Sequence, residues 1–285
     1  MSEARILSFD DALRARDAGR PPTLDLDVLK ERQASLPIGS YHAAFNKVSY
    51  IKHLKTRDIP YFQDLSLAIP RGRKIAILSH RDSGSREFQE LLTRRIAPAK
   101  GSVTIESRIS WIIPEARFFD NLAPLRENAI FFSHVLGVDA STVMGMMLAV
   151  GELPPAAINE PLKNLPPWAV KRLSLVLLHF CQFDLHLVGS RFQIKAMKLD
   201  GEDAAEVLNL IYGRDYLVTI EDPKGIPYNC NLLYVLYEGV LYEFDDLAEG
   251  AAVFEALPKP IEGPRAEKDR EEENEDEDFF REEFF

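Results

Sequence analysis

Residues 77–92 read ILSHRDSGSREFQELL, and this stretch decides the fold because it joins an apolar strand end to the start of a helix. The segment KIAILS (74–79) that leads into it has a continuous apolar centre, as expected of a strand covered on both faces. After the loop, apolar residues recur at the spacing of one helix face, at Phe88, Leu91, Leu92 and Ile96. A strand, a polar loop with one glycine and a helix form the context that a phosphate-binding loop requires.

The side chains that give such a loop its chemistry are replaced. A working loop has a lysine that reaches the outer phosphates, followed by a serine or threonine that holds magnesium. Here these two positions are Ser85 and Arg86, while Ser79 and Gly84 keep the strand end and the glycine. Two interpretations stay open: Arg86, with Arg81 nearby, supports weak anion or nucleotide binding, or both arginines simply solvate a surface turn.

Composition indicates a globular protein with charged appendages. The chain has 285 residues, of which 46% are hydrophobic, enough for one large domain or two modest ones. No apolar run reaches the roughly 18 residues that a membrane-spanning helix needs, and the first residues lack the apolar stretch of a secretory signal. We therefore expect a cytoplasmic protein. Both cysteines, Cys181 and Cys230, lie in apolar segments and are expected to be buried thiols.

The net charge of -11 is concentrated in the tail, since residues 265–285 hold 11 acidic and 4 basic side chains. The rest of the chain carries only -4 and has no basic surplus with which to displace counterions from phosphates, so nucleic acid is not an expected partner. The tail is too charged to bury apolar area, and we expect it to be disordered in isolation. Its two Phe-Phe pairs suit either a recognition segment or a plain solubilising tail; they are Phe279, Phe280, Phe284 and Phe285.

The order of segments predicts an α/β fold. Strand-like runs alternate with helical segments, and an antiparallel element precedes the stretch at 77–92. The predicted strands are 45–51, 61–69, 74–79, 101–106, 109–114, 184–189, 215–220, 231–239 and 240–244. A helix is also predicted near Ser8 to Ala18, with Ser8 and Asp11 as capping residues.

The chain from about 45 to 257 resembles the ATP-binding-cassette (ABC) subunits of capsule and O-antigen polysaccharide exporters. FQDLSLAIPRGRKIAILS is similar to the strands that lead into their phosphate loop, and SWIIPEARFFDNLAPLRENAIFFSHVLGVD to their Q-loop region. LPPWAVKRLSLVLLHFCQFDLHLVGSRF lies where the family has its signature motif and Walker B strand, and LVTIEDPKGIPYNCNLLYVLYEGVLYEF resembles its switch strand and closing hairpin. The resemblance implies a P-loop NTPase domain at 45–260. It has a RecA-like core, an amino-terminal antiparallel β element and a small helical subdomain at about 120–175, between an extension at 1–44 and the tail at 261–285.

The family's functional positions are replaced throughout this chain. Pro167 and Trp168 stand where the family has the serine and glycine of its signature motif, and proline lacks the N–H that an anion site uses. The Walker B aspartate and the catalytic glutamate become Gly189 and Ser190, and the switch histidine becomes Glu221. The resemblance and these departures predict a pseudo-ATPase with no catalytic residue, no cofactor and no metal site.

The family resemblance also implies protein partners, because cassettes pair face to face and work with a permease. We expect a homodimer or heterodimer, with a permease, an intact ABC ATPase or a polysaccharide-synthesis protein as partner, at the inner face of the inner membrane. The family uses the region around Phe118 and Phe119 to hold a coupling helix, so these aromatics are candidate docking residues, with core packing as the alternative. A heterodimer with an intact cassette would complete neither nucleotide site, since this chain lacks both the phosphate loop and the signature motif.

The sequence leaves two functions open. One is a catalytically inactive scaffold or regulator of polysaccharide export, and the other is a non-hydrolysing transporter subunit that moves with a permease. An independent enzyme on this scaffold is disfavoured, since the sequence shows no nucleophile motif and no acid–base pair.

Overall fold

The computed structural model describes residues 40–54, 57–114, 118–190 and 192–258. They form two compact units, one drawn from the described residues of 40–109 and 215–258 and the other from those of 110–214. The predicted helix near Ser8 to Ala18 and the acidic tail lie outside the described residues.

The described strands are, in chain order, β1 Tyr41–His53, β2 Asp58–Pro70, β3 Lys74–Ser79, β4 Lys100–Ile105, β5 Ile109–Ile113, β6 Leu185–Val188, β7 Asp215–Ile220, β8 Leu232–Tyr237 and β9 Val240–Phe244. The α-helices are α1 Ser85–Leu92, α2 Leu125–Leu136, α3 Ala140–Val150, α4 Pro167–Phe180, α5 Gly201–Tyr212 and α6 Leu247–Ala256. Short 3-10 turns occupy Pro155–Asn159, Leu162–Asn164, Ile194–Met197 and Pro223–Gly225.

The first unit contains an antiparallel sheet with the strand order β2-β1-β4. β1 pairs with both neighbours, and residues such as Ala43 and Phe45 are fully buried. Phe45 stacks on Phe88 of α1 with ring centroids 4.7 Å apart, and Phe62 of β2 meets the same ring edge-on at 6.2 Å. This aromatic contact fixes α1 against the antiparallel sheet.

The same unit contains the strand order β7-β3-β8-β9. β3 runs parallel to β7 and β8, so its buried centre is covered as the apolar pattern predicts. A two-residue turn at Glu238 and Gly239 joins β8 to its antiparallel partner β9, with positive φ at both residues. Gly239 is required there because a Cβ would lie 2.3 Å from the carbonyl oxygen of Tyr61.

The second unit combines the neighbouring strands β5 and β6 with helices α2 to α5. Helix α2 buries one face at the helical repeat and ends at Gly137, whose φ of 67° is left-handed. Helix α3 begins at Asp139, whose carboxylate accepts a hydrogen bond from the Thr142 N–H. Their inner faces form an apolar core with α4; its fully buried members include Leu125, Ala129, Val143, Met147 and Leu173.

Each of the nine predicted strands is present in the described part of the chain, and the α/β fold class is confirmed. The first strand is longer than predicted, beginning at Tyr41 and not at Phe45. Its extra residues pair with the ends of β2 and β4, where Ala43 faces Ile69 and Ile105. That pairing joins segments that are distant in the sequence, so no local pattern predicts it.

Candidate functional site: a phosphate-loop scaffold with replaced side chains

The predicted phosphate loop has the expected backbone. β3 ends at the buried Ser79, a turn closes where the Ser83 N–H donates to the His80 carbonyl at 3.3 Å, and α1 begins at Ser85. Gly84 is the residue before the helix, and its carbonyl accepts the Phe88 N–H at 2.8 Å. Strand, loop and helix therefore follow one another as the sequence predicts.

Gly84 is needed for conformation and for packing. Its φ of 96° belongs to glycine, and a Cβ at this position would lie 2.7 Å from Cδ1 of Tyr61 and 3.3 Å from Cζ of Phe62. Both rings belong to the antiparallel sheet of the same unit. The glycine is thus accounted for by contacts within the protein, without reference to a phosphate.

The two replaced positions give the loop a different charge arrangement. Ser85 is half-buried at the first position of α1, and its hydroxyl is too short to act as the missing lysine. Arg86 is exposed and its Nε donates to Oε1 of Glu90 at 3.2 Å, one turn further along the helix. An arginine engaged in this way lies along the outside of α1 and is partly neutralised.

Glu87 is a buried carboxylate that the sequence analysis did not single out. It is 7% exposed, and its nearest cation is the Nζ of Lys52 at 3.5 Å. Burial raises the pKa of Glu87, and the attraction of Lys52 only partly offsets that rise. Position 87 is not part of the apolar repeat at 88, 91, 92 and 96, so only the tertiary packing reveals the burial.

Glu221 follows β7, the neighbour of the strand that leads into the loop. In the parallel pairing of β3 with β7, Leu78 is opposite Ile220, so Ser79 and Glu221 follow at the same edge. Asp222 accepts the Lys224 N–H at 2.9 Å and thereby caps the short turn at 223–225. An exposed carboxylate at this edge would repel the outer phosphates of a nucleotide.

In the second unit, β6 ends without a carboxylate. The Gly189 N–H donates to the Ile113 carbonyl at 2.9 Å, and a Cβ at 189 would lie 3.0 Å from Cγ2 of Ile112. Ser190 follows and is exposed. An aspartate at 189 would have to displace Ile112, so the local packing suits glycine and disfavours a metal-binding side chain there.

The start of α4 also differs from an anion-binding helix end. Pro166 precedes the helix and Pro167 is its first residue, with no side-chain hydrogen bond to cap it. Trp168 lies under two cations, 4.8 Å from the Arg172 guanidinium carbon and 4.9 Å from the Lys198 Nζ. Trp168, which the family resemblance assigned to the signature motif, thus makes a structural cation–π contact.

Arg172 is the buried centre of this arrangement, with 2% of its surface exposed. Its Nε donates to the Met197 carbonyl at 2.6 Å and its Nη2 to the Lys198 carbonyl at 2.5 Å. Its Nη1 is 3.4 Å from the Val150 carbonyl and 2.8 Å from Oε1 of Glu152, which is largely exposed. The guanidinium therefore joins α4 to the ends of α3 and of the 194–197 turn.

A cavity of about 520 Å³ lies beside Arg172, between α3, α4 and α5. Its walls are mainly apolar, and its acidic groups are Glu152, Asp203 and Glu206. Three carboxylates disfavour the phosphates of a nucleotide. This cavity is therefore not a replacement nucleotide site.

The candidate docking aromatics are placed differently from one another. Phe119 is 5% exposed and belongs to the core of the second unit, and Phe118 packs against it and against Trp111. Four other apolar side chains of this segment are exposed, and we call them the α2 apolar face. They are Leu122, Ile130, Phe131 and Val135, with exposures of 56%, 41%, 58% and 64%. Phe279, Phe280, Phe284 and Phe285 lie outside the described residues.

Three further features of the described residues concern metal binding, membrane insertion and the cysteines. These residues contain no group of three or more histidine, cysteine or acidic side chains arranged to hold a metal ion. None of their helices combines the length and apolarity needed to cross a bilayer. No disulfide joins Cys181 and Cys230; Cys230 is buried as predicted, whereas Cys181 is only partly buried, and burial raises the pKa of Cys230.

No protein-family model matches the chain. In sequence it is 22% identical, over 195 residues, to the capsule polysaccharide export ATP-binding protein CtrD of Neisseria meningitidis serogroup B, covering 68% of this chain and 90% of that protein. In structure it is similar to the ATP-binding cassette MJ0796 in a dimeric post-hydrolysis state bound to ADP and Pi. That match has a TM-score of 0.55, 14% identity, and coverage of 71% of this chain and 98% of the cassette.

A second solved structure is cbiO1 from Clostridium perfringens, part of the ABC transporter complex cbiONQ. It matches with a TM-score of 0.52 and 14% identity, over 82% of this chain and 100% of that one. These likenesses agree with the element order and with the strand-loop-helix at 77–92. The chain has the fold of an ATP-binding-cassette ATPase, and its sequence resembles the ATP-binding subunit of a capsule polysaccharide exporter.

Proposed function

We propose that this protein is a non-hydrolysing ABC cassette that acts as a scaffold or regulatory component of bacterial capsular or surface polysaccharide export. The sequence similarity to a capsule export ATP-binding protein supports the process. The site geometry supports the absence of hydrolysis. The proposal places the protein on the cytoplasmic side of the inner membrane, held there by a protein partner.

The observation that carries this proposal is the phosphate loop at 79–86. Its backbone is retained, but Ser85 cannot reach outer phosphates and Arg86 is paired with Glu90. Glu221 adds a carboxylate at the same edge. Each hydrogen bond to a charged group that is lost costs about 1.5–3 kcal/mol, and Arg86 and Gly189 supply no side-chain oxygen for the magnesium that neutralises charge in phosphoryl transfer.

The test is phosphate release from ATP by the purified full chain with magnesium. We expect a rate equal to the buffer background, and the same rate in a Ser85→Ala, Arg86→Ala double variant. Magnesium-dependent turnover abolished by the double variant would overturn the proposal. Turnover that persists in the variant would place the chemistry at another site and would also overturn it.

Residual nucleotide binding is measured separately, by calorimetry with magnesium and ATP. The pairing of Arg86 with Glu90 and the carboxylate of Glu221 lead us to expect no saturable heat at millimolar nucleotide. The variant Glu221→Gln is the matched control, since it removes the repelling charge and leaves the loop unchanged. Binding of ATP to the Glu221→Gln variant but not to the wild type would show that the Glu221 carboxylate repels the nucleotide.

A second candidate is a non-hydrolysing subunit that pairs with a permease, and the α2 apolar face favours it. Four exposed apolar side chains on and next to one helix form a surface that suits a protein contact. None of them is required by the core of the second unit, which uses the opposite face of α2. The two functions differ in the partner that covers this surface.

Co-purification from detergent extracts distinguishes the two. Recovery of a permease supports the transporter subunit, and recovery of a soluble cassette or a glycosyltransferase supports the scaffold. Phe131→Asp should abolish recovery in either case without changing the melting temperature. Tyr228→Asp is the matched control, because Tyr228 is 96% exposed and belongs to the other unit.

A further inference from the structure

Three polar side chains that are far apart in the sequence meet in the first unit. The Nδ1 of His42 is 2.9 Å from the Oγ of Ser107, and its Nε2 is 2.9 Å from Oδ2 of Asp215. His42 is the second residue of β1 and is 2% exposed, Ser107 follows β4, and Asp215 begins β7. A hydroxyl, an imidazole and a carboxylate thus form one continuous hydrogen-bonded chain.

The carboxylate determines how the imidazole is protonated. An ionised carboxylate only accepts hydrogen bonds, so Nε2 of His42 carries the proton that it donates to Asp215. Nδ1 of the neutral ring is then a lone-pair acceptor, and the hydroxyl of Ser107 donates to it. This is the arrangement of a nucleophile, a base and a group that orients the base.

Two hydrogen bonds hold the arrangement in place. The Gly72 N–H donates to the same Oδ2 of Asp215 at 2.6 Å, which fixes the carboxylate. The side chain of Arg71 donates from Nη2 to the Glu106 carbonyl at 2.6 Å, which anchors the backbone next to Ser107.

Ser107 itself is accessible. It is half-buried and lies in a turn between the exposed residues Glu106 and Arg108. Because Ser107 lies in an open turn, we expect it to react with small or flexible molecules and not to bind a large substrate. The geometry is independent of the phosphate loop and of the proposed function.

We propose that Ser107 is a nucleophile, activated by His42 and Asp215, that accepts acyl groups from small esters. The Oγ of Ser107 bonds to the acyl carbon and the ester C–O bond breaks. The serine proton passes to Nδ1 of His42 and then to the departing alcohol. Water attacks the acyl-serine, giving its proton through His42 to the released Oγ and leaving a free carboxylic acid.

The test treats the full chain with a fluorophosphonate probe, which bonds to an activated serine with loss of fluoride, and locates the adduct by peptide mass spectrometry. We expect labelling at Ser107 and none at Ser102, which lies exposed on β4 and serves as the internal control. Release of p-nitrophenol from p-nitrophenyl acetate is followed in parallel. Ser107→Ala should abolish the labelling and the esterase activity, and Ser102→Ala should change neither.

The variant Asp215→Asn separates activation from structure. It keeps an acceptor for the Gly72 N–H but removes the charge that orients His42, and we expect labelling to slow by about 100-fold, the scale of general-base assistance. Melting curves show whether the variant remains folded. Labelling of Ser107 no faster than that of Ser102, or equal in Asp215→Asn and wild type, would overturn the proposal and leave the three side chains with a purely structural role.

Discussion

Replacement of Arg172 by methionine is expected to destabilise the second unit strongly. Methionine retains much of the side-chain volume but donates no hydrogen bonds, so the carbonyls of Met197 and Lys198 lose their closest partner. Hydrogen bonds to charged groups contribute about 1.5–3 kcal/mol each, and two of them set an upper range of about 3–6 kcal/mol. The variant also removes the cost of burying a charge, which offsets part of this loss. We expect a net destabilisation of about 3 kcal/mol.

The assay is urea unfolding of the full chain, followed by tryptophan fluorescence, since Trp168 lies against the guanidinium. A loss of about 3 kcal/mol corresponds to a fall in melting temperature of roughly 6–12 °C for a protein of this size. Glu152→Gln is the matched control, because Glu152 is 60% exposed and its pairing with Arg172 should contribute less than about 1 kcal/mol. Equal destabilisation by the two variants would refute the reasoning, since it would assign the effect to the ion pair and not to the carbonyls.

The remaining predictions concern the first unit. Burial raises the pKa of Glu87, so ionising this carboxyl at pH 7 opposes folding. Glu87→Gln should therefore be more stable than the wild type at pH 7. The difference in stability should disappear as the pH falls below 4.5, the ordinary pKa of a glutamate. Urea unfolding at several pH values measures this, and a wild type that gains on the variant as pH rises would contradict it. Gly239→Ala should cost more stability than Gly72→Ala: both residues have φ above 70°, but a Cβ meets the Tyr61 carbonyl oxygen at 2.3 Å only at position 239. Thermal melts compare the two, and equal losses would show that backbone conformation alone sets the cost.

The sequence predicts the strands well because each carries its own apolar pattern. β3 and β7 are continuous buried runs, and the turn between β8 and β9 has a glycine at the required place. The extension of β1 to Tyr41 was missed, since pairing with β2 and β4 created it and not a local preference. The order of the strands and helices, and therefore the fold, can be predicted from the sequence.

The polar contacts between distant side chains cannot be predicted from the sequence in the same way. His42 and Ser107 are 65 positions apart and His42 and Asp215 are 173 apart, so no motif links them. Local spacing shows no nucleophile motif, since the three side chains come from separate strands and a turn. The burial of Arg172 against the backbone carbonyls of residues 197 and 198 likewise depends on contacts 25 and 26 positions away in the chain.

Several positions assigned to the nucleotide site of the cassette family have contacts within the protein. A Cβ on Gly84 would meet the rings of Tyr61 and Phe62, and one on Gly189 would press on the side chain of Ile112. Trp168 holds two cations at the start of α4. Each position thus has a contact inside the protein that does not depend on a ligand. A nucleotide-dependent cassette would be stabilised by its ligand through mass action. Because Ser85 cannot replace the phosphate-binding lysine and Glu221 would repel phosphates, we expect millimolar magnesium and ATP to leave the melting temperature of this protein unchanged, and a rise of several degrees would contradict the proposed loss of nucleotide function.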